Sequence, residues 1–247
     1  MARAAAVCFD VGGTLLHMDP PPEVIFADLC RDLGVEIAPA AAARAYAHSE
    51  TWFNAHRDLY TRAPEEFWRR GNRVLLERLG VRDELDARAA FITEEFSKRA
   101  GRWSVYPEVP EVLAALQARG LPLAVISNWD PGLSGLLERL GLRAAFRVVI
   151  GSADAGVSKP DPQIFGLATA ALGVAPGQTV HVGDLYEYDI LGARAAGLIP
   201  VLLERRAERA SVFSATMGHP YDGLRITDLR GLIPLIEGNL EVVGAAS

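Results

Sequence analysis

Five short runs along the chain are apolar almost without a break: AAVCFDV (5–11), LPLAVISN (121–128), FRVVIGS (146–152), QTVHVGD (178–184) and IPVLLE (199–204). Unbroken rather than alternating hydrophobicity marks strands covered on both faces. Between and after them lie PEVLAALQARG, SGLLERLG, PQIFGLATAALG and YDILGARAAG, each with helical spacing and a closing glycine. Alternation of this kind predicts an α/β fold, a Rossmann-like, doubly wound parallel sheet with helices on both faces. It breaks once. Between Pro20 and Arg102 no run reads as a strand, and four stretches carry amphipathic helical spacing: PPEVIFADLCRDLG, APAAAARAYAHSETWFNAHRDLY, APEEFWRRGNRVLLERLG and RDELDARAAFITEEFSKRAG. The pattern therefore predicts a core of residues 1–18 and 103–247 with a helical cap, 19–102, inserted after the first strand. GLRITDL (223–229) and LRGLIPLIEG (229–238) add an edge strand and a last helix.

Composition changes this picture little. Half of the 247 residues are hydrophobic and 23% are charged, enough for a full core. A formal charge of −6 argues against nucleic acid or an anionic membrane as partner and leaves small molecules as the expected ones. No run is long enough to span a bilayer, and the N-terminus reaches charged residues too early for a signal peptide, so a cytoplasmic protein is expected. Cys8 and Cys30 are too few for a disulfide framework. The basic residues are nearly all arginine, which makes Lys98 and Lys159 conspicuous.

Ligands of open parallel sheets bind beyond the carboxyl ends of the strands. The first strand ends at Asp10, the second at Ser127 and Asn128, the fourth at Gly183 and Asp184, and the loop after the third carries Lys159. Two carboxylates, a hydroxyl, an amide and a lysine thus converge on one rim. Taken singly, an aspartate at a strand end is more often a turn residue, and Lys-Pro a surface turn.

In order along the chain, FDVGGTLL, VISNWD, SKPDPQIF and VGDLYEYDILGARAAG resemble the four motifs of the haloacid dehalogenase-like hydrolases, and the helical insert resembles that family's cap of the first type. The resemblance implies Asp10 as a nucleophile that forms an aspartyl-phosphate, and Mg2+ held by Asp10, Asp184, the backbone carbonyl of Gly12 and, in its outer shell, Asp189. It implies Ser127 and Asn128 as donors to phosphoryl oxygens and Lys159 as the cation beside them. Thr14 would brace the nucleophile through its hydroxyl. Asp161 resembles a helix N-cap and Pro162 a first helical position, which would fix where Lys159 points.

Gly12 departs from the pattern, because phosphatases of this family carry there a second aspartate that protonates the leaving group. His17, Asp19 and Glu187 are candidates for a substitute. Haloacid dehalogenase and phosphonate hydrolase activities are alternatives, since relatives with those activities lack that aspartate too. Excess carboxylates disfavour the first. The second needs a cap lysine, and the insert supplies only Lys98, at its end. DVGGT also resembles a phosphate loop of sugar kinases, but three prolines follow where that fold needs a hairpin strand. A ligand- or protein-binding relative without strong catalysis is the reading from another class. In the insert, His48, Trp52, His56, Arg57, Tyr60 and Arg62 are enough to bind an anionic or aromatic leaving group, but packing and solvated faces are the stronger account of them, and none is assigned to the site.

Overall fold

The computed structural model describes residues 4–99, 102–205 and 221–238. The described residues form eight strands: β1 (Ala6–Phe9), β2 (Leu16–Asp19), β3 (Arg102–Val105), β4 (Leu123–Ser127), β5 (Val148–Gly151), β6 (Thr179–Gly183), β7 (Ile199–Leu203) and β8 (Leu224–Ile226). Six form one parallel sheet in the order β5-β4-β1-β6-β7-β8. The five apolar runs supply β1, β4, β5, β6 and β7. Every residue of β1, β4, β6 and β7 is buried, which is why these strands read as continuous hydrophobic sequence. After β1 the sheet grows to one side through β4 and β5, then the chain crosses to β6 on the other side. The connections after β1 and β6 therefore diverge, opening a crevice at the carboxyl ends of these two central strands.

One face of the sheet is closed by the helix Pro162–Leu172 and by Gly192–Ala195. Ile164, Phe165 and Ala168 pack there with Ala193 against Ala6, Cys8, Ala124 and Ile126. Burial pushes the Cys8 thiol up to about 12, so it is an inert packing group.

By its internal contacts the chain divides into two units. One holds the start of the chain to His17 and resumes at Val105; the other is Met18–Ser104. The second unit is helical, with Pro22–Asp32, Pro39–His48, Glu50–Ala55, Arg57–Arg62, Pro64–Arg78 and Leu85–Arg99. Its core gathers Ile25, Phe26, Leu29, Leu75, Leu76 and Ile92. Phe53 packs against this core, and the rings of Trp52 and Phe53 lie 5.7 and 5.6 Å from that of Phe67, with His56 stacked on Trp52.

Two details differ from the sequence reading. The longest expected helix of the insert is three helices, broken near Ser49 and His56. Strands β2 and β3 form a separate two-stranded sheet where the chain leaves and re-enters the first unit, although the prolines at 20–22 argued against a strand there. β2 ends at Asp19, before the first proline, so none of its residues lacks an N–H. Among the described residues no helix is long and apolar enough to cross a membrane.

Candidate active site

The site is assembled within the sheet unit at the ends of β1, β4 and β6. Asp10 is the first residue beyond β1, and its backbone N–H donates to the carbonyl of Val182 in β6 (2.9 Å). Its carboxylate Oδ1 accepts from Ser127 Oγ at the end of β4 (2.9 Å) and from Lys159 Nζ (2.6 Å). Lys159 Nζ also donates to Asp189 Oδ1 (2.5 Å). Asp10, Asp184 and Asp189 offer carboxylate oxygens within 4.8 Å of one another, and all three are buried.

Each group is held by local structure. Asp161 caps the helix Pro162–Leu172 by accepting from the Gln163 N–H (2.9 Å), which anchors the loop bearing Lys159. Asn128 completes that anchoring. Its Oδ1 accepts from the Lys159 backbone N–H (2.7 Å) and its Nδ2 donates to the Lys159 carbonyl (3.0 Å). Expected as a donor to substrate, the Asn128 amide is thus engaged in fixing the lysine. Thr14 also differs from expectation: its hydroxyl donates to Asp184 Oδ1 (3.1 Å), bracing the second carboxylate in place of the nucleophile. Gly13 makes this approach possible. It has φ +76°, and a Cβ there would sit 2.1 Å from Asp184 Oδ2.

Asp189 lies on a π-helical turn, Tyr186–Leu191. Its Oδ1 accepts from Lys159 and pairs with His181 Nε2 (2.9 Å), while Oδ2 accepts from the Leu185 N–H (3.0 Å). His181 is a residue that sequence reasoning missed. The signal was a histidine set between two valines in the wholly buried β6, facing inward against the edge of Phe165 (5.0 Å). Arg205, just past β7, was missed as well; it is buried and donates to the carbonyls of Gly13 and Thr14.

The electrostatics follow from one cation among three carboxylates. Burial alone would raise Asp189, but Lys159 and His181 outweigh it and hold its carboxyl well below the usual range. Burial would lower Lys159, yet Asp10 and Asp189 hold its ammonium above the ordinary lysine value. Asp10 is raised, first by burial and then by the nearby Asp189 charge, against the opposing pull of Lys159. A buried excess of negative charge lined with hard oxygen donors suits a divalent cation such as Mg2+. With both oxygens of Asp189 already accepting, Asp10 and Asp184 are the better placed to touch it.

Of the candidates to replace an acid at Gly12, His17 lies tilted against the Tyr106 ring (centroids 4.8 Å apart), Asp19 is exposed and Glu187 is half-buried on the π-helical turn. In the insert, His48 and Arg62 are exposed.

Comparison with known proteins places the chain among relatives of one family. A family model for haloacid dehalogenase-like hydrolases matches residues 4–197. A phosphoserine phosphatase of Thermus thermophilus is 32% identical over 216 residues, covering 79% of this chain and 87% of that protein. The human haloacid dehalogenase-like hydrolase domain-containing protein 3 is 36% identical over 201 residues, covering 77% and 78%. Among solved structures, the HAD-hydrolase YfnB of Bacillus subtilis bound to magnesium superposes with a TM-score of 0.70 at 18% identity, covering 95% of this chain and 99% of that one.

Proposed function

Because the chain belongs to the haloacid dehalogenase-like hydrolases, we propose that it is a Mg2+-dependent phosphatase of small phosphate esters that works through an aspartyl-phosphate on Asp10. The observation that carries this reading is the buried cluster in which Lys159 Nζ lies 2.6 Å from Asp10 Oδ1, with Asp184 and Asp189 beside it. Asp10 attacks phosphorus and the ester oxygen departs with the bonding electrons; water then attacks phosphorus and frees the carboxylate. Lys159 and the Ser127 hydroxyl face the same carboxylate and are placed to stabilise charge on the phosphoryl oxygens during both steps. Asp10, Asp184 and the Gly12 carbonyl, with Asp189 behind them, would hold Mg2+, whose charge, when bound, would offset the repulsion between two anions. Asn128 acts by holding Lys159, and Thr14 by holding Asp184. The helical unit Met18–Ser104 serves as the cap that selects the substrate, and the activity is cytoplasmic.

Gly12 offers no proton to the leaving oxygen, so esters with good leaving groups are the preferred substrates. The three carboxylates speak against haloacid dehalogenation, which needs no metal and places an anionic substrate on the nucleophile. The similarity to a phosphoserine phosphatase supports a phosphate ester.

The test is phosphate release from a panel running from acyl and aryl phosphates to sugar and amino-acid phosphates, with Mg2+ and with chelator. Release should require Mg2+, rise with leaving-group quality and vanish in Asp10→Asn. Gly12→Asp should raise the rate on alkyl esters by about tenfold or more, the lower end of general acid catalysis being about 100-fold, and change aryl phosphates little. Halide release from haloacids without metal, with no phosphate release from any ester, would overturn the reading.

A further inference from the structure

We propose that Arg205 is a positioning residue: oriented by Glu108, it locks the turn after β1 and so sets the spacing between Asp10 and Asp184. The inference rests on the reading that these two carboxylates hold Mg2+. In sequence Arg205 belongs to a charged run, LLERRAER, of the kind that ordinarily faces solvent. In the fold its side chain is 2% exposed.

Its guanidinium is used in three directions. Nε donates to the Gly13 carbonyl (2.9 Å), Nη2 to the Thr14 carbonyl (2.7 Å) and Nη1 to Glu108 Oε1 (2.6 Å). The Tyr106 ring lies 3.5 Å from the guanidinium carbon and closes one face of the plane. A planar fork can hold two successive carbonyls and a carboxylate at once, whereas a lysine ammonium is a point charge on a flexible stem. A buried ion pair of this kind gives little net stability over apolar packing. Fixing one geometry is the use that the arrangement fits.

The two carbonyls belong to the turn that builds the site. Within it Gly13 N–H donates to Leu16 O, and the Leu15 and Leu16 N–H groups both donate to Val11 O, each at 2.8 Å. The same turn lies close against Asp184 at Gly13, where a Cβ would find no room, and the Thr14 hydroxyl donates to that carboxylate. The turn is therefore gripped through its carbonyls by Arg205 and itself grips Asp184. Loosening the first grip lets the second drift, and sub-ångström to ångström misplacement at a reacting centre is costly.

The test compares Arg205→Lys and Glu108→Gln with wild type and with Leu232→Ala, a core change in the last helix of the same unit that controls for lost stability. Three readouts are taken: Mg2+ affinity by calorimetry, amide hydrogen exchange of Gly13, Leu15 and Leu16, and Mg2+-dependent hydrolysis of p-nitrophenyl phosphate. In both positioning variants Mg2+ affinity should fall about tenfold, the three amides should exchange faster, and kcat should drop about 10- to 100-fold with KM nearly unchanged. Leu232→Ala should lower the melting temperature without these effects. The double variant should lose no more than the worse single one, because the two residues act as one unit. Wild-type exchange and Mg2+ affinity in either variant would overturn the proposal, as would equal losses in the control. Should wild type hydrolyse no ester, the phosphatase reading fails while exchange at the three amides still decides this one.

Discussion

Asp189 is wholly buried, and three donors converge on its two oxygens. Its ionised form is favoured by Lys159 and His181 strongly enough to overcome burial, so it stabilises the fold wherever the unfolded chain would also be ionised. A depressed carboxylate gives stability that is present above its unfolded value, 3.8, and is lost as pH falls through its lower folded value. Asp10 has the opposite sign: its raised value costs stability as pH rises through it, in part because Asp189 repels it. Asp189→Asn in metal-free protein should therefore be less stable than wild type by about 3 kcal/mol at neutral pH, the cost of breaking a buried pair. Denaturant melts from pH 7 to about pH 2 should show that gap narrowing once the pH falls below the unfolded value of 3.8. A gap that stays constant would mean that Asp189 does not carry the charge assigned to it.

At the scale of elements, the loop after β5 shows how a strand end and a helix start divide the work of placing one lysine. The Asp161 cap secures the helix Pro162–Leu172, whereas Asn128, next after β4, holds both backbone polar groups of Lys159 itself. The two contributions separate under substitution. Asp161→Ala should cost about 1 kcal/mol, lowering the melting temperature by about 2–4 °C while leaving kcat nearly intact. Asn128→Ala should lower kcat about tenfold or more through a displaced lysine, measured as Mg2+-dependent phosphate release. Comparable kcat losses in both would mean that the helix start, not Asn128, sets the lysine. Such elements were legible in sequence because their causes are local: continuous apolar runs for β1, β4, β6 and β7, and Asp-Pro at 161 and 162 for a helix start. β2 and β3 were not, being four residues each and paired across more than eighty residues of insert. The brace of Thr14 on Asp184, the hold of Asn128 on the Lys159 backbone, and the parts of His181 and Arg205 escaped sequence reading for the same reason, since each meets its partner through the tertiary fold: His181 on Asp189, Arg205 on Glu108 and the turn after β1.

Over the whole molecule, the proposed chemistry and one of the two hydrophobic cores fall on different groups of residues. Asp10, Ser127, Lys159, Asp184 and Asp189 all belong to the sheet unit, whose core includes Phe165 against His181. The helical unit Met18–Ser104 is closed over a separate core around Leu75, Leu76 and Ile92. A cavity at Leu76 falls in the core of the helical unit, whereas one at Phe165 removes the wall that holds His181 on Asp189. Leu76→Ala should lose about 2–5 kcal/mol of stability, as buried leucines do, yet bind Mg2+ within about twofold of wild type at room temperature. Phe165→Ala should lose a similar stability and also weaken Mg2+ binding, because Asp189 then orients the neighbouring groups less firmly. Calorimetric titration of Mg2+ into both variants reads the difference directly. If Leu76→Ala weakened binding as much as Phe165→Ala, the metal site would depend on the integrity of the helical unit, and the assignment of the chemistry to the sheet unit alone would fall.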